Sequence, residues 1–259
     1  MRATTSPQQM AEVLAAALAA GINHIETAPA YGPAEAFLGQ ALSQWRGSEP
    51  LVITSKLLPG IALEEGKAQL RGILQRLGLE RLDNLAVHGL NRPEHLDWAL
   101  RGAGAELLRW ALAEGLVGQV GFSSHGELPL IETALASGCF SFCSLHLHWF
   151  DQTRIPLAQA ALREGMGVLA ISPADKGGRL YAPPEQLRAD CAPFEPLDLA
   201  YRFLLDAGIS SLTLGAAQAS DLDLAKRLTA EEGRWLEPSH RQALDRAWLA
   251  GQNRLAASA

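Results

Sequence analysis

The sequence predicts an α/β fold, a TIM-type (β/α)8 barrel, with seven strands visible and the first strand missing. Three observations predict it. Short apolar runs rich in Val, Ile, Leu and Phe alternate with helix-period segments along the 259 residues. The strand starts recur roughly 20–45 residues apart, the pitch of a βα unit, which demands parallel strands joined by helical crossovers. No G-x-G-x-x-G occurs anywhere, and a doubly wound dinucleotide fold would want one after an early strand. The barrel is the better reading, as a single domain over residues 1–259.

The elements follow in order. The chain opens in a helix, "SPQQMAEVLAAALAAG", where a barrel should first have a strand. Predicted strands then cover 22–28, 51–56, 84–89, 120–124, 142–148, 167–172 and 212–216. Between them lie the helical patterns "AEAFLGQALSQW", "KAQLRGILQRLG", "AELLRWALAEG", "LPLIETALASG", "IPLAQAALREG" and "LDLAYRFLLDAG". Several end in glycine, the residue favoured just past a helix C-terminus.

Composition narrows the functional classes. The chain is 48% hydrophobic and 19% charged with a net charge of −6, ordinary values for a globular domain. No Lys/Arg cluster suggests nucleic acid, and no apolar run reaches a membrane span. The glutamines and the glutamate near the start break any signal-peptide core. Cys139, Cys143 and Cys191 form no C-x-x-C pair, which reads as reduced thiols in a cytoplasmic protein. His125, His146 and His148 are not joined by an ordered carboxylate or cysteine, so no metal site is assigned.

Barrel active sites are built at the C-terminal ends of the strands. Here the first visible strand ends in Glu26 and leads to Tyr31; the second ends in Lys56 and the third in His88. Buried charges need partners, so Glu26 and Lys56 are expected to pair. A phenol with an ordinary pKa of about 10 is a poor acid at neutral pH. A neighbouring ammonium favours its ionised form, and a carboxylate keeps that ammonium charged. Glu26, Lys56, Tyr31 and His88 together therefore suit a general acid that protonates a carbonyl oxygen. A purely structural Glu26–Lys56 ion pair is the competing reading of the first two.

The motifs "GINHIETAPAYG", "VITSK", "LAVHG", "VGFSS", "ISPADKGGRLY" and "LTLGAAQASDL", in this order, resemble the aldo/keto reductase superfamily over nearly the whole chain. "GINHIETA" and "ISPADKGG" are most similar to its ferredoxin-like branch. The resemblance implies a catalytic tetrad on Glu26, Tyr31, Lys56 and His88, with Glu26 where most of the superfamily has Asp. It implies a nicotinamide cofactor, NADP(H) or alternatively NAD(H), and a small-molecule carbonyl substrate. Ser123, Ser124 and Ser144 match positions that hold the carboxamide, where the usual pattern has asparagine and glutamine at the second and third. Ser172, Pro173, Lys176 and Gly177 match the pyrophosphate segment, although Lys176 reads equally as a solvated loop lysine. Gly215, Gln218 and Asp221 fall at the opening of the last helix, where backbone N–H groups can meet a phosphate. Compared with the family, the chain lacks the N-terminal strand with its hairpin, and the C-terminal extension.

The leading function is therefore nicotinamide-dependent reduction of an aldehyde or ketone to an alcohol. Two alternatives stay open. A lysine at a barrel strand end also suits a Schiff-base lyase or aldolase. A truncated barrel could instead act as a non-catalytic binding module.

Overall fold

A computed structural model describes residues 5–47, 50–209, 211–231, 233 and 235–257. The elements run α1 (Pro7–Ala19), β1 (His24–Glu26), α2 (Ala34–Gln44), β2 (Val52–Leu57), α3 (Leu63–Leu77) and β3 (Leu82–Val87). They continue with α4 (Pro93–Leu100), α5 (Ala103–Ala113), β4 (Val117–Ser124), α6 (Leu128–Ala136), β5 (Phe142–His146) and α7 (Ile155–Arg163). The last are β6 (Gly167–Ile171), α8 (Glu185–Cys191), α9 (Pro196–Asp206), β7 (Ser211–Leu212), α10 (Asp223–Thr229) and α11 (Pro238–Ala257). The sheet order is the chain order, β1 to β7, as short helical crossovers between neighbouring strands require. The chain forms two compact units. One is Met1–Ser144 with Glu164–Gly167 and Leu214–Asp223; the other is Leu145–Arg163, Val168–Thr213 and Leu224–Ala259.

In the first unit, β1 to β4 pair in parallel, with Glu26 opposite Thr54, Lys56 opposite Ala86, and Val87 opposite Phe122. Because side chains alternate across a strand, this register puts His24 and Glu26, Thr54 and Lys56, and Asn84 and Ala86 on one face. The other face is mostly apolar: Ile25, Ile53, Leu85, Val87 and Val120 are buried, with buried Ser55 among them. Helix α1 starts where Ser6 accepts a hydrogen bond from the Gln9 N–H at 3.2 Å, with Pro7 in its first turn. That cap satisfies one of the N–H groups a helix start leaves over. Met10, Val13, Leu14 and Ala17 line its buried stripe, and Val13 and Ala17 pack with Ala216 and Leu222. The Gln9 amide also donates to the Ala217 carbonyl at 2.7 Å. The opening helix is thus anchored on the segment that follows the last strand.

The second unit has its own core, built from Trp149, Cys191, Leu199, Ala243, Leu244 and Ala247. Helix α11 supplies three of these. Buried Arg202 bonds Asp198 at 2.8 Å and both oxygens of Glu231, tying α9 to the segment beyond α10. Strand β6 pairs in parallel with β7, Ala170 opposite Leu212.

Two expectations need correction. The last strand does not run over 212–216: it ends at Leu212, and Leu214 packs toward α1 and Leu222 instead of continuing the ladder. The segment from Gly215 does not open the last helix either. It leads through a 3-10 turn, Ala219–Leu222, into α10, and α11 follows. Helices α4, α8 and α10 were also not foreseen. Each is short, too short for periodicity to mark it.

Helix α2 lies so close to the end of α3 that a Cβ on Gly39 would collide with the Arg76 carbonyl. Mid-helix Gly→Ala ordinarily stabilises by about 1 kcal/mol. Gly39→Ala is expected to do the reverse, destabilising by roughly 1–3 kcal/mol through overpacking. Urea unfolding gives the sign; an unchanged or raised midpoint would mean the two helices part at little expense.

Candidate active site

Glu26 closes β1, and a 3-10 turn over Pro29–Tyr31 follows. Gly32 ends that turn at φ 62° and ψ −128°, a backbone conformation open to glycine and strained for other residues. Tyr31 is thereby turned back over the strand end. The Lys56 ammonium lies between two partners: it bonds a Glu26 carboxylate oxygen and donates to the Tyr31 hydroxyl at 2.7 Å. Lys56 is 2% exposed, and its Nζ also stands 4.8 Å from the Tyr31 ring centroid. The His88 N–H bonds the Leu57 carbonyl at 2.7 Å. Its imidazole meets the Tyr31 ring edge to face, with centroids 5.8 Å apart and an angle of 88°. All four residues expected at the strand ends come together within the first unit.

The electrostatics follow from burial and neighbours. Burial alone would lower the Lys56 pKa, but the Glu26 carboxylate and the Tyr31 oxygen outweigh it and raise the value. The side chain stays an ammonium at neutral pH. His88 is pushed the other way, to about 4, first by burial and then by the Lys56 charge. It is a neutral imidazole over the working range.

Several buried residues that the sequence reading passed over support this group. Glu35, 1% exposed, accepts from Ser55 at 2.7 Å and from Arg76 Nε at 2.8 Å. Ser55 precedes Lys56, so α2 and α3 are tied to the strand that carries the lysine. On the lysine's own face, Thr54 Oγ1 accepts from the Asn84 amide at 3.0 Å and bonds His24 Nε2 at 2.8 Å. A single acid on the buried stripe of α2 was the one signal that could have revealed Glu35.

Ser123 Oγ accepts from the Gly89 N–H at 3.0 Å. Ser124 Oγ donates to the Leu90 carbonyl at 2.7 Å and accepts from the Gly126 N–H at 2.9 Å. Ser144 is 0% exposed and its hydroxyl has no hydrogen-bond partner among the described residues. Asp221 accepts from the N–H groups of Ala217 and Gln218 at 2.8 and 3.1 Å. Its carboxylate therefore occupies backbone donors that the sequence reading had offered to a phosphate. Gly215 lies in the same stretch, with open space where a side chain would project.

Ser172, Pro173, Lys176 and Gly177 lie in the second unit. Ser172 and Asp175 hold left-handed backbone angles, φ 57° and 63°, a conformation that costs a non-glycine residue on the order of 1–3 kcal/mol. Asp175 accepts from the Lys176 N–H at 2.6 Å and lies 4.0 Å from His148 Nε2. Lys176 itself is exposed. His146 and His148 meet edge to face at 4.7 Å. No group of three or more metal-ligating side chains occurs among the described residues, and no helix among them is long and apolar enough to cross a membrane.

The family model "Aldo/keto reductase family" matches residues 2–191. The chain belongs to the aldo/keto reductase family. It is an NAD(P)H-dependent oxidoreductase of the aldo/keto reductase type. No curated protein sequence matches it. Among solved structures it is similar to the holo form of an aldo-keto reductase from Bacillus halodurans. That match has 20% identity and a TM-score of 0.76, covering 95% of this chain and 89% of that one. An aldose reductase from Giardia lamblia matches at 18% identity and a TM-score of 0.72, covering 96% and 94%. A glycerol dehydrogenase from Gluconobacter oxydans matches at 18% and 0.70, covering 92% and 84%. At these identities the three carry the fold alone, and they agree with the barrel class read from the sequence.

The depressed His88 pKa has a consequence for stability. An unfolded histidine takes up a proton near pH 6.5, whereas folded His88 refuses it until about 4. The unfolded state thus binds more protons between these values. The stabilisation is fully present above pH 6.5 and is lost as pH falls to about 4. His24, His148 and His240 shift in the same direction, so the comparison is with His88→Gln. Its thermal midpoint should fall less steeply across this window than that of the parent; parallel curves would show that His88 titrates normally.

Proposed function

We propose that this aldo/keto reductase reduces an aldehyde or ketone to an alcohol, with Tyr31 as the proton donor. The observation that carries the reading is the contact of one buried ammonium, Lys56, with both Glu26 and the Tyr31 hydroxyl. When bound, the reduced nicotinamide supplies the hydride for the carbonyl carbon. Tyr31 releases its hydroxyl proton to the carbonyl oxygen, and the phenolate left behind is stabilised by the Lys56 charge. Glu26 holds Lys56 in place and charged. Neutral His88, beside the Tyr31 ring, can donate a hydrogen bond to the carbonyl oxygen and orient it without adding a second positive charge.

The residues present suit a nicotinamide. An unpartnered buried hydroxyl is costly, and Ser144 carries one where the family resemblance expects the carboxamide to be held. Ser123 keeps its hydroxyl proton available, since its oxygen accepts from Gly89.

Within the family's range of cofactors, the stretch 215–221 favours NAD(H) over the NADP(H) first expected. It contains no Lys or Arg, and the Asp221 carboxylate already holds its amides. A 2′-phosphate there would face a like charge. The raised Lys56 pKa speaks against the Schiff-base alternative, because an imine-forming lysine must lose its proton and is usually desolvated to that end.

Tyr31→Phe should lower kcat for a test aldehyde at least about a hundredfold, the scale of general-acid catalysis. Cofactor affinity, followed by tryptophan fluorescence, should stay within about twofold, because the lost interaction belongs to the transition state. Retained turnover would remove Tyr31 from the reaction. Lys56→Met should be equally inactive, and borohydride should trap no substrate on the parent enzyme; a trapped adduct would revive the lyase reading.

Titration with both reduced cofactors tests the second choice. NADH is expected to bind at least as tightly as NADPH. A tenfold preference for NADPH would place a phosphate clamp elsewhere on the chain.

A further inference from the structure

We infer that Ser124 and Asn91 are positioning residues for His88, and that Ser124 does not hold the nicotinamide carboxamide. The inference rests on the proposed function for its kinetic arm and on the protein alone for its spectroscopic arm.

A hydroxyl has one proton to give and can accept about twice. The Ser124 proton goes to the Leu90 carbonyl at 2.7 Å, with Asn91 Oδ1 at 3.3 Å as a weaker second acceptor. Its oxygen receives the Gly126 N–H at 2.9 Å. Ser124 and Leu90 are both 0% exposed. A carboxamide oxygen could claim the proton only by leaving the buried Leu90 carbonyl unpaired, which is a costly exchange.

Those bonds define the path of the loop that follows β3. The Leu90 N–H goes to the Ser123 carbonyl at 2.8 Å, and the Gly89 N–H to Ser123 Oγ at 3.0 Å. Three polar backbone groups of Gly89 and Leu90 are therefore held by the end of β4, while the Gly89 carbonyl meets His95 Nδ1 at 2.9 Å. Asn91 closes the arrangement from the other side: its Oδ1 accepts the His125 N–H at 2.7 Å. The His88 N–H is meanwhile fixed to Leu57 at the end of β2. With its backbone secured toward both neighbouring strands, the imidazole has little freedom beside Tyr31. The charged and titratable groups around it are Lys56, Glu26 and His125, with the Tyr31 ring against its edge.

The test compares Ser124→Ala, Asn91→Ala, the double variant and Ser144→Ala with the parent. Asn91 is exposed, so its variant gives a folded comparison even if Ser124→Ala is unstable. Ser124→Ala and Asn91→Ala should lower kcat about tenfold to a hundredfold, the effect of displacing a reacting group by about 1 Å. The affinity for reduced cofactor should stay within about twofold. Ser144→Ala should instead weaken that affinity. The double variant should be no worse than the poorer single, because both act through one loop. In the absence of cofactor, the His88 ring signals in NMR should titrate at a higher pH in both loop variants, as the imidazole gains water and leaves Lys56. Ser124→Thr, which keeps the hydroxyl, should restore the parent titration. A tenfold loss of cofactor affinity in Ser124→Ala with unchanged kcat would overturn the inference in favour of carboxamide binding. So would an unmoved His88 titration in both loop variants. If the parent reduces no carbonyl at all, the functional reading fails while the titration still decides the role of the loop.

Discussion

The structure depends on a charged amine kept almost wholly out of water. Removing an ion from solvent costs several kcal/mol even after relaxation, and Lys56 is tolerated because Glu26 and Tyr31 both meet its ammonium. The arrangement is demanding in register. Glu26 and Lys56 lie on β1 and β2 and His88 follows directly on β3, and a one-residue slip would turn any of them to the opposite face. The polar residues His24, Thr54 and Asn84, further back on the same three strands, are linked across them. They penalise such a slip, since any other register would leave buried polar groups unpaired. Glu26 reaches the lysine with a side chain one methylene longer than an aspartate would offer.

Glu35 extends the dependence outward. It bonds Ser55 on the strand and Arg76 on α3, so the helices around this part of the sheet share an ionic anchor with it. Loss of one partner from a buried pair is far more damaging than replacement of both. The helix packing at Gly39 and this anchor lie between the same two helices, α2 and α3, and leave little room for adjustment there.

Much of this was legible in the sequence, for identifiable reasons. Strand ends that carry Glu26, Lys56 and His88 break an otherwise apolar pattern, and Tyr31 follows in a turn marked by Pro29 and Gly32. What stayed hidden depended on distance along the chain. Arg76 lies 41 residues beyond Glu35, and Asn91 is one polar residue in a loop until β4 is placed beside it. The run 212–216 misled because its apolar residues serve two purposes. Thr213 still bonds Ala170 by both its N–H and its hydroxyl. Leu214 is apolar because it joins the cluster around Val13 and Ala17. Hydrophobicity alone does not distinguish a strand residue from one that covers a helix. The bonds of Ser124 were hidden in the same way, since nothing in its residue type points to the Leu90 carbonyl 34 residues earlier.

The anchoring of α1 bears on how the protein is made. Gln9 bonds a carbonyl 208 residues further along, and Val13 and Ala17 wait for Ala216 and Leu222. At roughly 5–20 residues per second of translation, that partner leaves the ribosome some ten seconds or more after the helix does. For that interval the part of the apolar stripe around Val13 and Ala17 has no final cover, so this helix reaches its native packing only after residue 222 has been made.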